Sequence, residues 1–209
     1  PLKSRIIDLF KELLGREPEW KDLTDSLLRD FTYYIDGKYA QNTKRTLYGR
    51  LKAVINEYKH EMNIPTTQYT KILRATKESV ISTYLTRDEI ETLNIYTPES
   101  KQERYVHKIF MIECLTGART SDAKRLTLDN CNIETNRLTY IAQKTKQRVT
   151  IPIDDWLKPY LEDTTYVELN RKSTNYHLQK ICRKCNILTP TTIFKGGKEI
   201  KAEKCDLIT

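Results

Sequence analysis

Within "CLTGARTSDAKRLTLDN", Cys114 to Asn130, Arg119 stands two residues beyond Gly117, and Asp122 stands three beyond that arginine. A guanidinium presented at a glycine turn is a permanently charged planar fork, suited to anionic oxygens. Further on, "YIAQKTKQRVTIPI" sets Lys144 and Lys146 in a turn between two alternating runs, with Arg148 opening the second. Taken singly, such residues are ordinary. A lone arginine after glycine is usually a surface or ion-pair residue, and lysines in a hairpin turn are usually solvated charges that keep strand edges apart. The only CxxC, Cys182 and Cys185 in "ICRKCNI", lacks both a second ligand pair for zinc and a strand-to-helix redox setting. It reads as a pair of reduced thiols on a helix.

The elements that would carry these residues fall into two parts. "SRIIDLFKELL" predicts a helix with Ile6, Ile7, Phe10, Leu13 and Leu14 on one stripe. "LTDSLLRDFTYYIDG" predicts a second, with Leu27, Leu28, Phe31, Tyr34 and Ile35 inward and Gly37 as its stop. In "NTKRTLYGRLKAVINEYKHEM" the inward face is Leu47, Leu51, Val54, Ile55 and Tyr58, with Lys44, Arg45, Arg50 and Lys52 pointing away. "TTQYTKIL" gives at most a short helix, and "RATKESVISTY" is polar and aperiodic. These features predict a helical domain over residues 1–75, a linker over 76–84 and a second unit from 85 to 209.

The second unit begins at "TRDE", where Thr86 and Glu89 have capping-box spacing. An apolar helix, "RYVHKIFMIECL", ends at Gly117. Alternating "CNIE", "NRLTYIAQ" and "RVTIPI" predict three short antiparallel strands, and "DDWLKPYLED" and "STNYHLQKICRKCNI" return to helix. The fold class is mainly α with one small three-stranded antiparallel sheet.

Charge narrows the partner. The 209 residues contain 36 Lys plus Arg against 28 acids, a formal charge of +8, which favours a polyanion, nucleic acid before an anionic membrane. No window approaches the run of about 18 apolar residues that a span requires, and "PLKSRIIDLF" has no secretory core, so the expected location is cytoplasmic.

The order of helical bundle, basic linker, capped helix, apolar helix, "TGARTSDAKRL" and lysine-bearing meander resembles the tyrosine recombinase (phage integrase) family. The likeness runs from about residue 1 to the last residue and is most specific in "LTGARTSDAKRLTLDN" and "YIAQKTKQRVTIPI". It implies a core-binding domain followed by the first part of a catalytic domain. It also implies strand breakage and rejoining through a 3′-phosphotyrosine, without metal or nucleotide cofactor. By this resemblance Arg119 matches the first catalytic arginine and Asp122 the acidic residue that buttresses the site. Lys144 matches the hairpin lysine, with Lys146 as the alternative register. The chemistry gives each a reason. A guanidinium suits the charge that gathers on non-bridging phosphate oxygens, and a lysine on a flexible hairpin can protonate the departing 5′ oxygen. Asp122, about a turn beyond Arg119, is placed to cap a new helix or to hold nearby groups.

Double-stranded DNA is the implied partner, held between two domains. Candidate contacts are Thr43, Lys44, Arg45 and Arg50 on the third helix, Lys71, Arg74 and Lys77 towards the linker, and Lys146 and Arg148 in the hairpin. "HLQK", His177 to Lys180, superficially resembles the family's His-x-x-Arg box but lies in the helix expected upstream of it, so His177 reads as structural. The box itself and the nucleophilic tyrosine would follow residue 209, and Tyr160, Tyr166 and Tyr176 all precede them. The expectation is therefore a piece of a longer recombinase that binds DNA without cleaving it, monomeric alone, with a parent that is tetrameric on recombining DNA. A non-catalytic DNA-binding regulator on the same scaffold is the alternative. Usage rich in Lys, Asn, Thr and Tyr with only 6 glycines points to an AT-rich bacterial genome and a mobile-element integrase.

Overall fold

The computed structural model describes residues 2–78, 82–195 and 198–208, with the side chains of all these except 2–4 and 195. The chain divides into two compact units, one of residues 1–82 with 193–200 and one of 83–192 with 201–209. The division at 82 falls inside the expected linker, of which residues 79–81 lie outside the described residues.

In the first unit, α1 (Leu2–Leu14), α2 (Asp25–Ile35), α3 (Gln41–Tyr58) and the short α4 (Tyr69–Ile72) enclose one core. Leu28, Phe31, Ile35, Leu47, Ile55 and Leu73 are wholly buried, and Phe31 stacks on Phe10 with ring centroids 4.4 Å apart. Two details of the predicted stripes are corrected. Ile7 is 45% exposed, and Leu9 takes its place inside, because the face that meets α2 and α3 follows positions 6, 9, 10 and 13. Lys44 is buried, since it precedes Leu47, Tyr48, Leu51 and Ile55 on one helical face. Its ammonium is satisfied at 2.5 Å by Asp36, just beyond the end of α2. The Asp25 carboxylate, in the first turn of α2, accepts hydrogen bonds from the N–H groups of Thr67 and Gln68, each at 2.9 Å. Those bonds fix the entry to α4 and hold the Asp25 carboxyl far below the usual carboxylate range, with the Thr66 hydroxyl as the largest cause.

In the second unit α5 (Arg87–Asn94) opens on the predicted capping box, with Thr86 and Glu89 bonded reciprocally. The central α6 (Lys101–Thr116) is apolar on two faces and buried on both. Tyr105, Ile109 and Ile112 meet the sheet and α8 (Lys158–Glu162). Val106 and Met111 meet α9 (Arg171–Lys184) and α10 (Lys204–Leu207). The three predicted strands are present as β1 (Cys131–Asn132), β2 (Arg137–Ile141) and β3 (Arg148–Pro152), an antiparallel meander with Leu138 opposite Ile151 and Ile141 opposite Arg148. The helix expected over "DDWLKPYLED" is shorter, because Asp154 turns back to accept from the Trp156 N–H at 2.9 Å and helix begins only beside Pro159. A second, two-stranded sheet of β4 (Pro190–Lys195) and β5 (Lys198–Glu203), whose residues 193–200 are counted with the first unit, goes beyond the predicted strands.

No helix among the described residues is long and apolar enough to cross a membrane.

Candidate functional site

The "TGAR" turn is built from the end of α6. Gly117 adopts φ 65°, the left-handed conformation that ends a helix most easily without a Cβ, and its N–H closes on the Glu113 carbonyl at 2.8 Å. The Thr116 hydroxyl donates to the Ile112 carbonyl at 2.5 Å and accepts from the Ala118 N–H at 3.1 Å, so the reversal is pinned on both sides. Ala118 is buried in the core between α6 and the sheet, where a small side chain fits. Arg119 then stands exposed at the N-terminal boundary of α7 (Thr120–Ala123). Its carbonyl accepts from the N–H groups of Asp122 at 2.7 Å and Ala123 at 2.8 Å, which fixes the backbone from which the guanidinium projects.

Asp122 is only 3% exposed. A buried carboxylate requires compensation, and Asp122 finds it 21 residues away: Oδ1 accepts from the backbone N–H of Gln143 at 2.9 Å. It makes no side-chain cap on α7, so the capping role expected for it gives way to a bond across to the hairpin. Gln143 immediately precedes Lys144. The carboxylate therefore ties the turn that presents Arg119 to the hairpin that presents Lys144 and Lys146. Beside this tie, burial raises the Tyr140 hydroxyl pKa, the Asp122 charge raises it further and Arg119 draws it down.

The hairpin itself is closed by the Lys146 N–H on the Ala142 carbonyl at 2.8 Å and the Ala142 N–H on the Gln147 carbonyl at 2.9 Å. Lys146 has φ 57°, the left-handed position of the turn, whereas Lys144 lies near its apex, and both side chains are exposed. Arg148 borders a shallow pocket of about 460 Å³ with Arg125, Asn130 and Thr139. Arg125 was not singled out in the sequence, although it follows Asp122 by three residues and so shares its side of the turn.

In the first unit, Arg45 and Arg74 come together around a second pocket, joined by Lys52. Lys52 carries no motif; only its spacing from Arg45, seven residues along α3, marks it. Arg50, Lys71 and Lys77 are exposed apart from that pocket, and Thr43 is half-buried in the first turn of α3. Lys44, taken as a DNA contact, is instead engaged inside the unit by Asp36.

The remaining sequence candidates are absorbed by structure. Lys180 pairs at 2.7 Å with the buried Glu103, which accounts for the lysine in "HLQK". Burial pushes the Cys182 thiol up to about 12, out of reach of a reactive thiolate at neutral pH. The Tyr160 hydroxyl, raised to about 12 by burial, donates to Asn94 Oδ1 at 2.9 Å.

Comparison with family models, curated proteins and solved structures finds no match to this chain.

Proposed function

We propose that this chain is the DNA-binding and phosphate-holding part of a site-specific recombinase that works through a 3′-phosphotyrosine. The observation that carries the reading is the Asp122–Gln143 bond, which makes the Arg119 turn and the Lys144 hairpin one structural piece. In this role Arg119 binds the non-bridging oxygens of the scissile phosphate. As a deprotonated tyrosine oxygen attacks phosphorus and the P–O5′ bond breaks, Lys144 delivers the proton that the departing 5′ oxygen takes up. No tyrosine of this chain is assigned the attack, and the 209 residues alone are expected to bind duplex DNA without a covalent adduct.

A non-catalytic DNA-binding regulator is the second reading. It is favoured by the cationic pocket of the first unit, which needs no chemistry to bind a phosphate. The two readings separate in an adduct assay with protein expressed from its complete native reading frame on nicked suicide duplexes. A recombinase forms a covalent protein–DNA species that Arg119→Ala abolishes while duplex binding persists. Binding without any adduct selects the regulator.

A further inference from the structure

The first unit contains a pocket of about 330 Å³ with Arg45, Lys52 and Arg74 around a floor of Tyr48, Leu73 and Ala75. Its construction follows from two elements. Arg45, Tyr48 and Lys52 are spaced three and four apart, so they line one face of α3. The chain leaving α4 is laid beside that helix: Leu73 is wholly buried, and Asn42 clamps the backbone of Glu78 with two bonds of 3.2 Å. Arg74 Nε donates to the Thr70 carbonyl at 3.3 Å, which orients the guanidinium and leaves its terminal nitrogens free of any partner among the described residues.

Four other cations of the first unit are neutralised by carboxylates. Lys44 is matched by Asp36, Arg16 by Asp22, Lys11 by Glu17 and Lys21 by Glu19. Among the described residues no carboxylate pairs with Arg45, Lys52 or Arg74, although they share one concavity. Three like charges converging without a counter-charge repel one another, and an anion relieves that repulsion. A bare inorganic anion would gain from the cations and nothing from the floor. A sugar-phosphate gains from both, its phosphate among the cations and its sugar ring against Ala75 and the small exposed part of Tyr48, with Leu73 closing the floor beneath them.

We propose that this pocket anchors one sugar-phosphate unit of the DNA backbone, with Lys52 as its third cation. The inference rests on the DNA-binding reading above and deepens it. With the three cations engaged by the phosphate, only the hydroxyls of Tyr48 and Thr76 remain as side-chain polar groups in the lining, too few to read base edges, so the anchor contributes affinity without sequence preference.

The test is duplex affinity against salt concentration for Arg45→Gln, Lys52→Gln, Arg74→Gln and the triple variant, on several unrelated sequences. Each single change should weaken binding by roughly five- to tenfold near 0.1 M salt and lower the slope of log affinity against log salt by about 0.9, equally on every sequence. Lys52→Arg should restore the slope, and Lys101→Gln, at the exposed start of α6, should change nothing. Unchanged melting temperatures establish that the variants fold. If the parent chain binds with a salt slope and the triple variant keeps it, the anchor is wrong while the DNA reading stands. A loss confined to particular sequences also overturns it, because that is base reading. If the parent chain does not bind duplex DNA even at low salt, both fall together.

Discussion

At the scale of single residues, the site depends on a buried carboxylate that contacts no phosphate in the proposed mechanism. In that mechanism Asp122 positions, while Arg119 and Lys144 are the groups offered to DNA. Replacing Asp122 with Ala leaves the Gln143 N–H without its acceptor and should cost about 1–3 kcal/mol of stability. It should also free the hairpin, seen as accelerated hydrogen exchange at Gln143 and its neighbours. Asp122→Asn retains an oxygen in the same place and should recover most of the Gln143 protection. Equal exchange in parent and Asp122→Ala would show that the bond does not hold the hairpin. Sequence alone made Arg119 visible through Gly117, and Lys144 through the alternating runs that flank it. For Asp122 it gave a capping or holding role but not the partner that is held. An aspartate is expected at the surface, and its partner is a backbone group 21 residues away that leaves no mark in side-chain type. Lys44 failed for the opposite reason: its periodicity with Leu47 and Leu51 was legible, but its charge argued for solvent until Asp36 was in place.

At the scale of elements, α6 organises the second unit and Glu103 secures its first turn. Glu103 is wholly buried, yet its carboxylate accepts from the Tyr96 hydroxyl at 2.9 Å and the Glu99 N–H at 3.1 Å and pairs with Lys180 on α9 at 2.7 Å. Burial alone would push its carboxyl up. The Lys180 ammonium, the Glu99 N–H and the Tyr96 hydroxyl outweigh burial, with Lys184 adding to them, and hold it down at about 2 against an ordinary 4.5. A depressed carboxyl pKa stabilises the fold above its unfolded value and loses that contribution as pH falls through the folded one. The difference in melting temperature between the parent chain and Glu103→Gln should therefore be constant from pH 7 to about 5. It should then shrink as pH falls from about 4.5 to about 2. A difference independent of pH would contradict the assignment. Elements with strong periodicity were the legible ones: the three strands, the capped α5 and the apolar α6 are where spacing put them. The β4–β5 sheet was not, because β5 is exposed at all but one of its positions and shows no alternation to read.

At the scale of the whole molecule, the excess of positive charge is not spread evenly. Acids are consumed in structural pairs such as Arg104–Asp163, Lys184–Glu99 and Lys204–Glu89. Arg119, Arg125, Lys144, Lys146 and Arg148 in one unit, and Arg45, Lys52 and Arg74 in the other, have no carboxylate partner among the described residues. Arg125 and Arg148 line one pocket and Arg45, Lys52 and Arg74 the other, whereas Arg119, Lys144 and Lys146 stand outside both, as do further unpaired cations such as Lys101, Arg171 and Lys172. Unpaired charge alone therefore does not mark the sites; a shared pocket in the first unit, and the turn and hairpin tied by Asp122 in the second, do. Net charge was readable from composition, whereas its sorting into paired and free cations exists only in three dimensions. The most direct measurement is the affinity of this chain for duplex DNA as a function of salt, compared with the double variant Arg119→Ala, Lys144→Ala. The account predicts binding that weakens steeply with salt and a slope reduced by about two in the double variant, with the fold intact. An unchanged slope in that variant, or no binding by the parent chain at low salt, would contradict it.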